Sequence, residues 1–257
     1  MKNIIIDLNE PNTWVNDFAN ILYENKIKLP SYDSLCDWSC CDYRLSKEEQ
    51  NLINIIKENK IILYHGCKTF NPNLYYTNGM PIPDKNFYYN LFQTYIKELN
   101  FHLTPEQKLE MNLVIKNKKL ENRIFTLLVP HPFKKECSSY IGLGSEWITY
   151  LFLKLLRTQN VYKMLYSIGK PTVFKILMPI NKLEEYNRIT VCGEILKCYI
   201  DNKDGYDYTS SKTVFLHEKV LPKEVISHFY INEFYSFHIN EYVKIEDYIK
   251  QYFVLCI

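Results

Sequence analysis

The pattern of apolar and polar positions predicts helices in the first half of the chain. Near the N-terminus large apolar side chains recur at helical spacing: Trp14, Phe18, Ile21 and Leu22. Ser46 and Glu49 form the S-x-x-E pair that begins many helices, since each side chain accepts a hydrogen bond from a free backbone N–H. Further helices are expected over residues 87 to 99 and 105 to 120, and from Ser145 onward.

Runs of apolar and β-branched residues predict strands, most of them in the second half. The run over residues 60 to 65 predicts a strand that ends at His65 and Gly66. Further strands are predicted over residues 123 to 130, 171 to 179, 189 to 200, 212 to 222 and 225 to 231. Residues 70 to 87 have no steady period and contain several prolines, which predicts a long surface loop. Residues 137 to 144, rich in small side chains, also read as a loop.

Helices followed by a strand-rich half indicate an α+β fold rather than alternating βαβ units. We expect residues 1–59 to form a helical extension packed on the core, and residues 60–257 to form one α+β domain. The 257 residues are 47% hydrophobic, which is ample for a core of that size.

Charge and hydropathy narrow the possible partners and location. The 31 Lys and Arg nearly balance the 29 Asp and Glu, so the net charge demands neither nucleic acid nor an anionic membrane. No segment reaches the roughly 18 apolar residues of a membrane span, and the N-terminus lacks the pattern of a secretory signal. We therefore expect a cytoplasmic protein without a membrane partner.

The eight cysteines are expected to be reduced thiols, because no secretory signal precedes them. Cys36, Cys40 and Cys41 form the one cluster with some character of a metal site. Zinc sites pair such a cluster with a second pair of matching spacing, and Cys192 and Cys198 do not match. Buried structural thiols are the favoured interpretation, and no metal site is predicted.

Tyr64, His65 and Gly66 are the first candidate binding residues. A glycine at a strand end lets a ligand approach the backbone, whose N–H and C=O can then bind an amide group. The adjacent imidazole can bind a sugar hydroxyl. The alternative is an ordinary strand end followed by a turn glycine.

The second candidate site is "YIGLGSEW", residues 140 to 147, which includes Tyr140 and Glu146. Its two glycines precede Ser145, so the free N–H groups of the following helix could bind a phosphate or another anion. The third glycine of a dinucleotide fingerprint is replaced by Trp147, which excludes a Rossmann motif. An ordinary N-capped helix is the alternative.

Glu218 is the third candidate, placed just beyond a predicted strand and before the turn at Pro222. A carboxylate there could stabilise the positive charge that develops on a sugar carbon during glycosyl transfer. The alternative is an exposed charge at a strand end, next to Lys219.

Taken in chain order, these three sites resemble the ADP-ribosyltransferase superfamily, in particular its diphtheria-toxin-like branch with a His, Tyr, Glu signature. The resemblance extends over about residues 60 to 230 and includes "VLPKEVI" after Glu218-Lys219. It implies a split β-sheet core, NAD as the substrate, and mono-ADP-ribosyl transfer to a protein or nucleic acid acceptor without a metal. It also suggests a bacterial or phage toxin or defence effector, with a regulator or antitoxin as a further partner.

The resemblance also implies roles for individual residues. His65 would bind the adenine-side ribose, the Gly66 backbone would bind the nicotinamide amide, and Tyr64 would lie beside them. Glu218 would bind the nicotinamide ribose and direct transfer, with Glu146 and Glu194 as alternatives. Cys67 stands where the family commonly has Thr or Ser.

The tyrosine that stacks on nicotinamide is not fixed by the sequence. Tyr140 is the first candidate, and Tyr75 and Tyr76 are the alternatives. Two other functions also remain open. One is a non-catalytic module that binds a nucleotide or a partner, and the other is nucleic-acid processing, for which the Lys-rich residues 114 to 123 could contact phosphates.

Overall fold

The computed structural model describes residues 3–38, 44–117, 119, 122–157, 160–210, 212–236 and 240–247. Within these ranges the fold is α+β, as predicted. The helices are α1 (Val15–Glu24), α2 (Tyr32–Asp37), α3 (Lys47–Ile56), α4 (Asn73–Asn78), α5 (Lys85–Glu98), α6 (Pro105–Asn117), α7 (Ser138–Leu143), α8 (Glu146–Leu156), α9 (Asn160–Tyr166) and α10 (Glu185–Asp204). The strands are β1 (Ile5–Ile6), β2 (Lys60–Thr69), β3 (Ile124–Leu127), β4 (Lys170–Pro179), β5 (Thr213–Leu216), β6 (Val225–Tyr230), β7 (Glu233–Ser236) and β8 (Glu241–Lys244).

The main sheet has the strand order β5-β3-β2-β4-β6, and β1 pairs with β2 in parallel. Strand β3 runs antiparallel to β2, with Tyr64 opposite Leu127. Strands β7 and β8 form a separate antiparallel pair. The inner strands β2 and β4 have ten residues each and are mostly buried, as their long apolar runs require.

The chain divides into two compact units. The first contains Met1–Tyr64, Phe125–Pro130 and Lys175–Leu216. The second contains His65–Ile124, His131–Phe174 and His217–Ile257. One boundary between the units falls within β2, between Tyr64 and His65, and another falls within β4, between Phe174 and Lys175. The division at residue 59 that we expect from the sequence stays a prediction.

Several elements confirm the local sequence signals. Ser46 accepts a hydrogen bond from the Glu49 N–H, and the Glu49 carboxylate accepts one from the Ser46 N–H, which is the predicted capping box. Ser145 caps α8 by accepting a hydrogen bond from the Ile148 N–H. Helix α6 and strands β3 and β6 lie in the ranges predicted for them, while α5 begins two residues and β4 one residue before its predicted range.

Two of the predicted loops were wrong. Residues 70 to 87 contain α4 and the start of α5, and residues 137 to 144 contain α7. Both added helices have only six residues, which is too short for a helical period to show in the sequence. Tertiary packing rather than intrinsic propensity stabilises helices of this length.

The strand predicted over residues 189 to 200 was also wrong, because α10 is a 20-residue helix that includes this segment. All residues from Thr190 to Tyr199 are buried, including the polar Thr190, Glu194 and Lys197, so this part of the helix is covered on every side. The β-branched residues within it favoured a strand, and burial overrides that preference.

A charged cluster lies on this buried helix, in the first compact unit. The Glu194 carboxylate accepts a hydrogen bond from the Lys197 Nζ at 3.0 Å and another from the Tyr208 hydroxyl at 2.6 Å. Glu194 and Lys197 are 5% and 9% exposed, so water contributes little to their solvation. Burial tends to lower the pKa of Lys197, but the adjacent Glu194 carboxylate outweighs it and leaves that pKa raised.

Removing one partner of this pair should cost more stability than removing an exposed acid from the same helix. We expect Glu194→Ala to lower the free energy of unfolding by about 3 kcal/mol, because it leaves the Lys197 ammonium buried without its counter-charge. The exposed Glu185, in the first turn of α10, is the control. Urea unfolding of Glu185→Ala should show a loss below about 1 kcal/mol. Equal losses in the two variants would contradict a buried ion pair.

Candidate functional site

His65 and Gly66 lie in the middle of a strand, not at its end. Strand β2 continues past them to Thr69, so the strand end predicted at these residues was wrong. The strand continues because Cys67, Lys68 and Thr69 are themselves wholly or partly buried. Successive residues of a strand face opposite sides of the sheet, so His65 and Cys67 share one face and Gly66 and Lys68 share the other.

Gly66 is explained by packing. A Cβ atom at this position would lie 2.4 Å from the Phe133 Cε1 and 2.7 Å from the Ile141 Cγ2, so there is no room for a side chain. Phe133 belongs to a 3₁₀ turn (His131–Lys134), and Ile141 belongs to α7. Close packing therefore requires this glycine whether or not a ligand binds its backbone.

Tyr64 is fully buried in the first compact unit and makes a structural hydrogen bond. Its hydroxyl donates to the Asp7 Oδ1 at 2.7 Å, and the Lys175 Nζ contacts the Asp7 Oδ2 at 3.1 Å. Burial and the adjacent Asp7 carboxylate raise the pKa of Tyr64 well above its usual value. These contacts give Tyr64 a structural role of its own.

A cluster of aromatic side chains lies next to Cys67 in the second compact unit. The Cys67 Sγ lies 3.7 Å from the Tyr75 hydroxyl, and the Tyr75 ring packs on Phe174 with centroids 4.5 Å apart. Tyr76, the next residue of α4, donates to or accepts from the His228 Nδ1 at 2.7 Å. Helix α4 thus places its two tyrosines between β2, β4 and β6. The sequence showed these tyrosines but not the helix that orients them.

Tyr140 lies close to the same thiol. Burial raises the pKa of Cys67 to about 12, so the thiol stays protonated at neutral pH. Burial and proximity to Cys67 raise the pKa of Tyr140, and the same two causes raise that of Tyr95. The structure therefore places two candidate stacking residues, Tyr75 and Tyr140, near Cys67, which lies two positions after His65.

The Tyr95 hydroxyl packs against Gly144, in the turn between α7 and α8. Gly144 has a φ of +97°, and a Cβ atom there would lie 1.6 Å from the Tyr95 hydroxyl oxygen. This residue is therefore a glycine both for its backbone conformation and for its contact. Glu146, in the first turn of α8, is exposed to solvent.

Glu218 lies two residues beyond the end of β5, as the sequence predicted. It is exposed, which the alternative interpretation of an ordinary strand-end charge also expects. Val220 forms an antiparallel bridge with Met80, with backbone hydrogen bonds of 2.9 and 3.0 Å between them. Gly79 precedes that bridge with a φ of +72°, and a Cβ atom there would lie 2.1 Å from the Val220 oxygen. This contact fixes the Glu218 segment next to the C-terminal end of α4.

Helix α4 consequently connects the two ends of the candidate site. Near its start Tyr75 contacts Cys67, two residues from His65, and just after its end Met80 pairs with Val220, two residues from Glu218. Six helical residues span about 9 Å. This helix therefore lies between the β2 segment that carries His65 and the segment that carries Glu218.

The three candidate carboxylates differ in their surroundings. Both oxygens of Glu194 are engaged, by Lys197 and Tyr208, and the residue is buried in the first compact unit. Glu146 and Glu218 are exposed, and both lie in the second unit with His65 and Gly66. Chemistry at His65 is therefore better matched by Glu218 or Glu146 than by Glu194.

Most of the cysteine cluster lies outside the residues that the structure describes. Cys40 and Cys41 lie outside the described residues, and Cys36 is exposed on α2. Among the residues that the structure describes, no group of three or more His, Cys, Asp or Glu side chains is placed to hold a metal ion.

Lys68 is a buried cation that the sequence analysis missed. It is 4% exposed, and its Nζ donates to the carbonyl of Gly142 at 2.7 Å and to the carbonyl of Leu165. These carbonyls lie in the last turns of α7 and α9, where the helix dipole favours a positive charge. Burial nevertheless lowers the pKa of Lys68 to about 7. The sequence signal that could have indicated this burial is the position of Lys68 within a run of strand-forming residues.

Comparison of the chain with protein-family models, with curated proteins and with solved structures finds no match. Among the described residues, no helix is long and apolar enough to cross a membrane. The function of the site therefore has to be argued from its own residues.

The lowered pKa of the buried Lys68 amine makes the free energy of unfolding depend on pH. Between pH 7 and about 10.5 the unfolded chain keeps the Lys68 proton and the folded chain does not, so the free energy of unfolding rises with pH. The slope from this one group is at most about 1.4 kcal/mol per pH unit. Urea unfolding from pH 6 to 9 should show this rise in the wild type, and the rise should be reduced in Lys68→Met.

The matched control is Lys60→Met, which removes an exposed lysine from the same strand. Its difference from the wild type should not change over this pH range. A Lys68→Met profile parallel to that of the wild type would contradict a neutral, buried Lys68.

Proposed function

We propose that this protein is an NAD-dependent mono-ADP-ribosyltransferase that modifies a macromolecular acceptor, as toxins and defence effectors do. The observation that supports this proposal most is the connection made by α4. It relates the strand of His65 and Gly66 to the exposed carboxylate of Glu218, within one compact unit. These are the residues on which the resemblance to the ADP-ribosyltransferase superfamily rests.

In this proposal NAD binds along the face of β2 that carries His65. The imidazole of His65 would bind the adenine-side ribose, and the backbone of Gly66 would bind the nicotinamide amide. The nicotinamide ring would stack on Tyr75 or Tyr140, both of which lie beside Cys67. The proposal includes the split β-sheet core of that superfamily and a cytoplasmic location.

Transfer breaks the bond between the nicotinamide nitrogen and the ribose carbon, and the electron pair leaves with nicotinamide. The ribose then carries positive charge, which the Glu218 carboxylate stabilises while binding a ribose hydroxyl. A nucleophile of the acceptor donates its electron pair to the same carbon and loses its proton. Glu218 suits this role because it is exposed and its position is fixed by the bridge between Met80 and Val220.

A non-catalytic module that binds a nucleotide or a protein partner is the second candidate function. The packing of Gly66 against Phe133 and Ile141 favours it, since that contact explains the glycine without any ligand. The two functions differ in turnover: both bind a nucleotide, and only the transferase releases nicotinamide.

The test is nicotinamide release from NAD by the purified protein, with and without cell extract as a source of acceptor. We expect Glu218→Gln to abolish release while NAD binding, measured by calorimetry, is largely kept, because the amide retains the shape but not the charge. His65→Ala should weaken NAD binding. If Glu218→Gln keeps nicotinamide release and Glu146→Gln loses it, Glu146 is the catalytic carboxylate. Glu185→Gln, which changes an exposed acid of the first compact unit, is the control.

Normal turnover by Glu218→Gln would refute its assignment as the catalytic carboxylate. Binding of NAD without release by the wild type would favour the non-catalytic module. If the wild type neither binds NAD nor releases nicotinamide, both nucleotide-based functions are refuted.

A further inference from the structure

A group of neighbouring side chains beside the aromatic cluster reaches solvent: Lys170 and Tyr230 are exposed, and Tyr76 and His228 are half-buried. His228 lies 5.7 Å from Tyr76 and 5.3 Å from Tyr230, between ring centroids. The Lys170 Nζ lies 4.8 Å from the centroid of the Tyr230 ring. We call these four residues the aromatic surface; all of them belong to the second compact unit.

The rings of this surface are held in place from below. Phe174 is fully buried and lies 6.5 Å from Tyr76 and 5.7 Å from His228. The hydrogen bond of 2.7 Å between the Tyr76 hydroxyl and the His228 Nδ1 fixes the two rings relative to each other. Tyr230, 37% exposed, extends the surface along β6. Preorganised rings lose little conformational entropy when a flat group stacks on them.

The elements that carry this surface contribute exposed lysines and no exposed carboxylate. Helix α4, strand β6 and residues 170 to 174 contain no Asp or Glu. The exposed lysines of this region are Lys170 and Lys223, which precedes β6 in a 3₁₀ turn (Pro222–Glu224). Glu224, in the same turn, is buried, and its carboxylate accepts a hydrogen bond from the Leu221 N–H. An anionic ligand therefore meets lysines here and no exposed carboxylate of these elements.

We propose that the aromatic surface binds single-stranded nucleic acid. Bases stack on Tyr230, His228 and Tyr76, and the phosphates between them contact Lys170 and Lys223. Stacking on aromatic rings combined with flanking lysines is the chemistry by which proteins bind single strands without reading sequence. Duplex DNA hides its bases from such rings, which selects the single strand.

If the proposed transferase activity holds, the bound single-stranded nucleic acid is the acceptor of the ADP-ribosyl group. That identification rests on the proposed function. Binding itself does not.

The test is fluorescence anisotropy with labelled 15-residue oligo-dT and oligo-U, and with a duplex of equal length, in the absence of NAD. We expect both single strands to bind more tightly than the duplex. Tyr230→Ala should weaken single-strand binding roughly 5- to 150-fold, the range that one base stacked on an aromatic ring provides. Lys170→Ala should also weaken it and lower the slope of log affinity against log salt by about 0.7.

Tyr206→Ala is the matched control, because Tyr206 is a more exposed tyrosine in the first compact unit. It should bind like the wild type. Urea unfolding of each variant establishes that it is folded, and the milder Tyr230→Phe, which keeps the ring, should retain affinity.

Three outcomes would overturn the proposal. They are no binding of either single strand at low salt, equal or tighter binding of the duplex, and unchanged affinity in both Tyr230→Ala and Lys170→Ala. The first would leave the surface as a site for a protein partner. Because nicotinamide release is measured separately, failure here is distinguishable from failure of the proposed transferase function.

Discussion

Burial of β2 on both of its faces is the constraint on which the candidate site depends. Most residues of β2 are buried and must be satisfied within the protein, while His65 and Cys67, which share one face, are only partly buried. The Tyr64 hydroxyl donates a hydrogen bond to Asp7, and the Lys68 Nζ donates hydrogen bonds to carbonyls of α7 and α9. Gly66 leaves the space that Phe133 and Ile141 fill. The positions of α7 and α9 relative to this strand follow from these contacts.

That constraint changes how the Tyr-His-Gly motif is understood. Tyr64 and Gly66 each have a packing role that is sufficient to explain them, so neither discriminates between a binding strand and a structural one. Glu218 is different, because an exposed carboxylate beyond a strand end adds nothing to a core. Packing therefore explains Tyr64 and Gly66 but does not explain Glu218.

The sequence predicted those elements whose signals are local. The capping box of Ser46 and Glu49, the cap at Ser145 and the apolar run of β4 are each set by a few neighbouring residues. Helix α10 was predicted as a strand because of its β-branched residues, and its burial on all sides is provided only by the tertiary fold. The end of β2 was misplaced for the same reason, since the burial of Lys68 depends on α7 and α9.

Of the site, the sequence predicted the residues but not their arrangement. It singled out His65, Gly66, Tyr140, Glu146 and Glu218, which all lie in one compact unit, together with Tyr64 and Glu194, which belong to the other. Contacts between residues far apart along the chain, such as those of Tyr75 with Phe174 and of Met80 with Val220, are not visible in any local pattern.

Gly79 also limits how this surface can diverge during evolution. Its conformation and the nearby Val220 oxygen exclude any side chain, so the path from α4 to the Glu218 segment is not adjustable at that residue. The outward positions of α4, such as Asn73, Leu74 and Thr77, face no such restriction. A lineage that acquires a new partner can therefore alter these side chains freely while the carboxylate keeps its place.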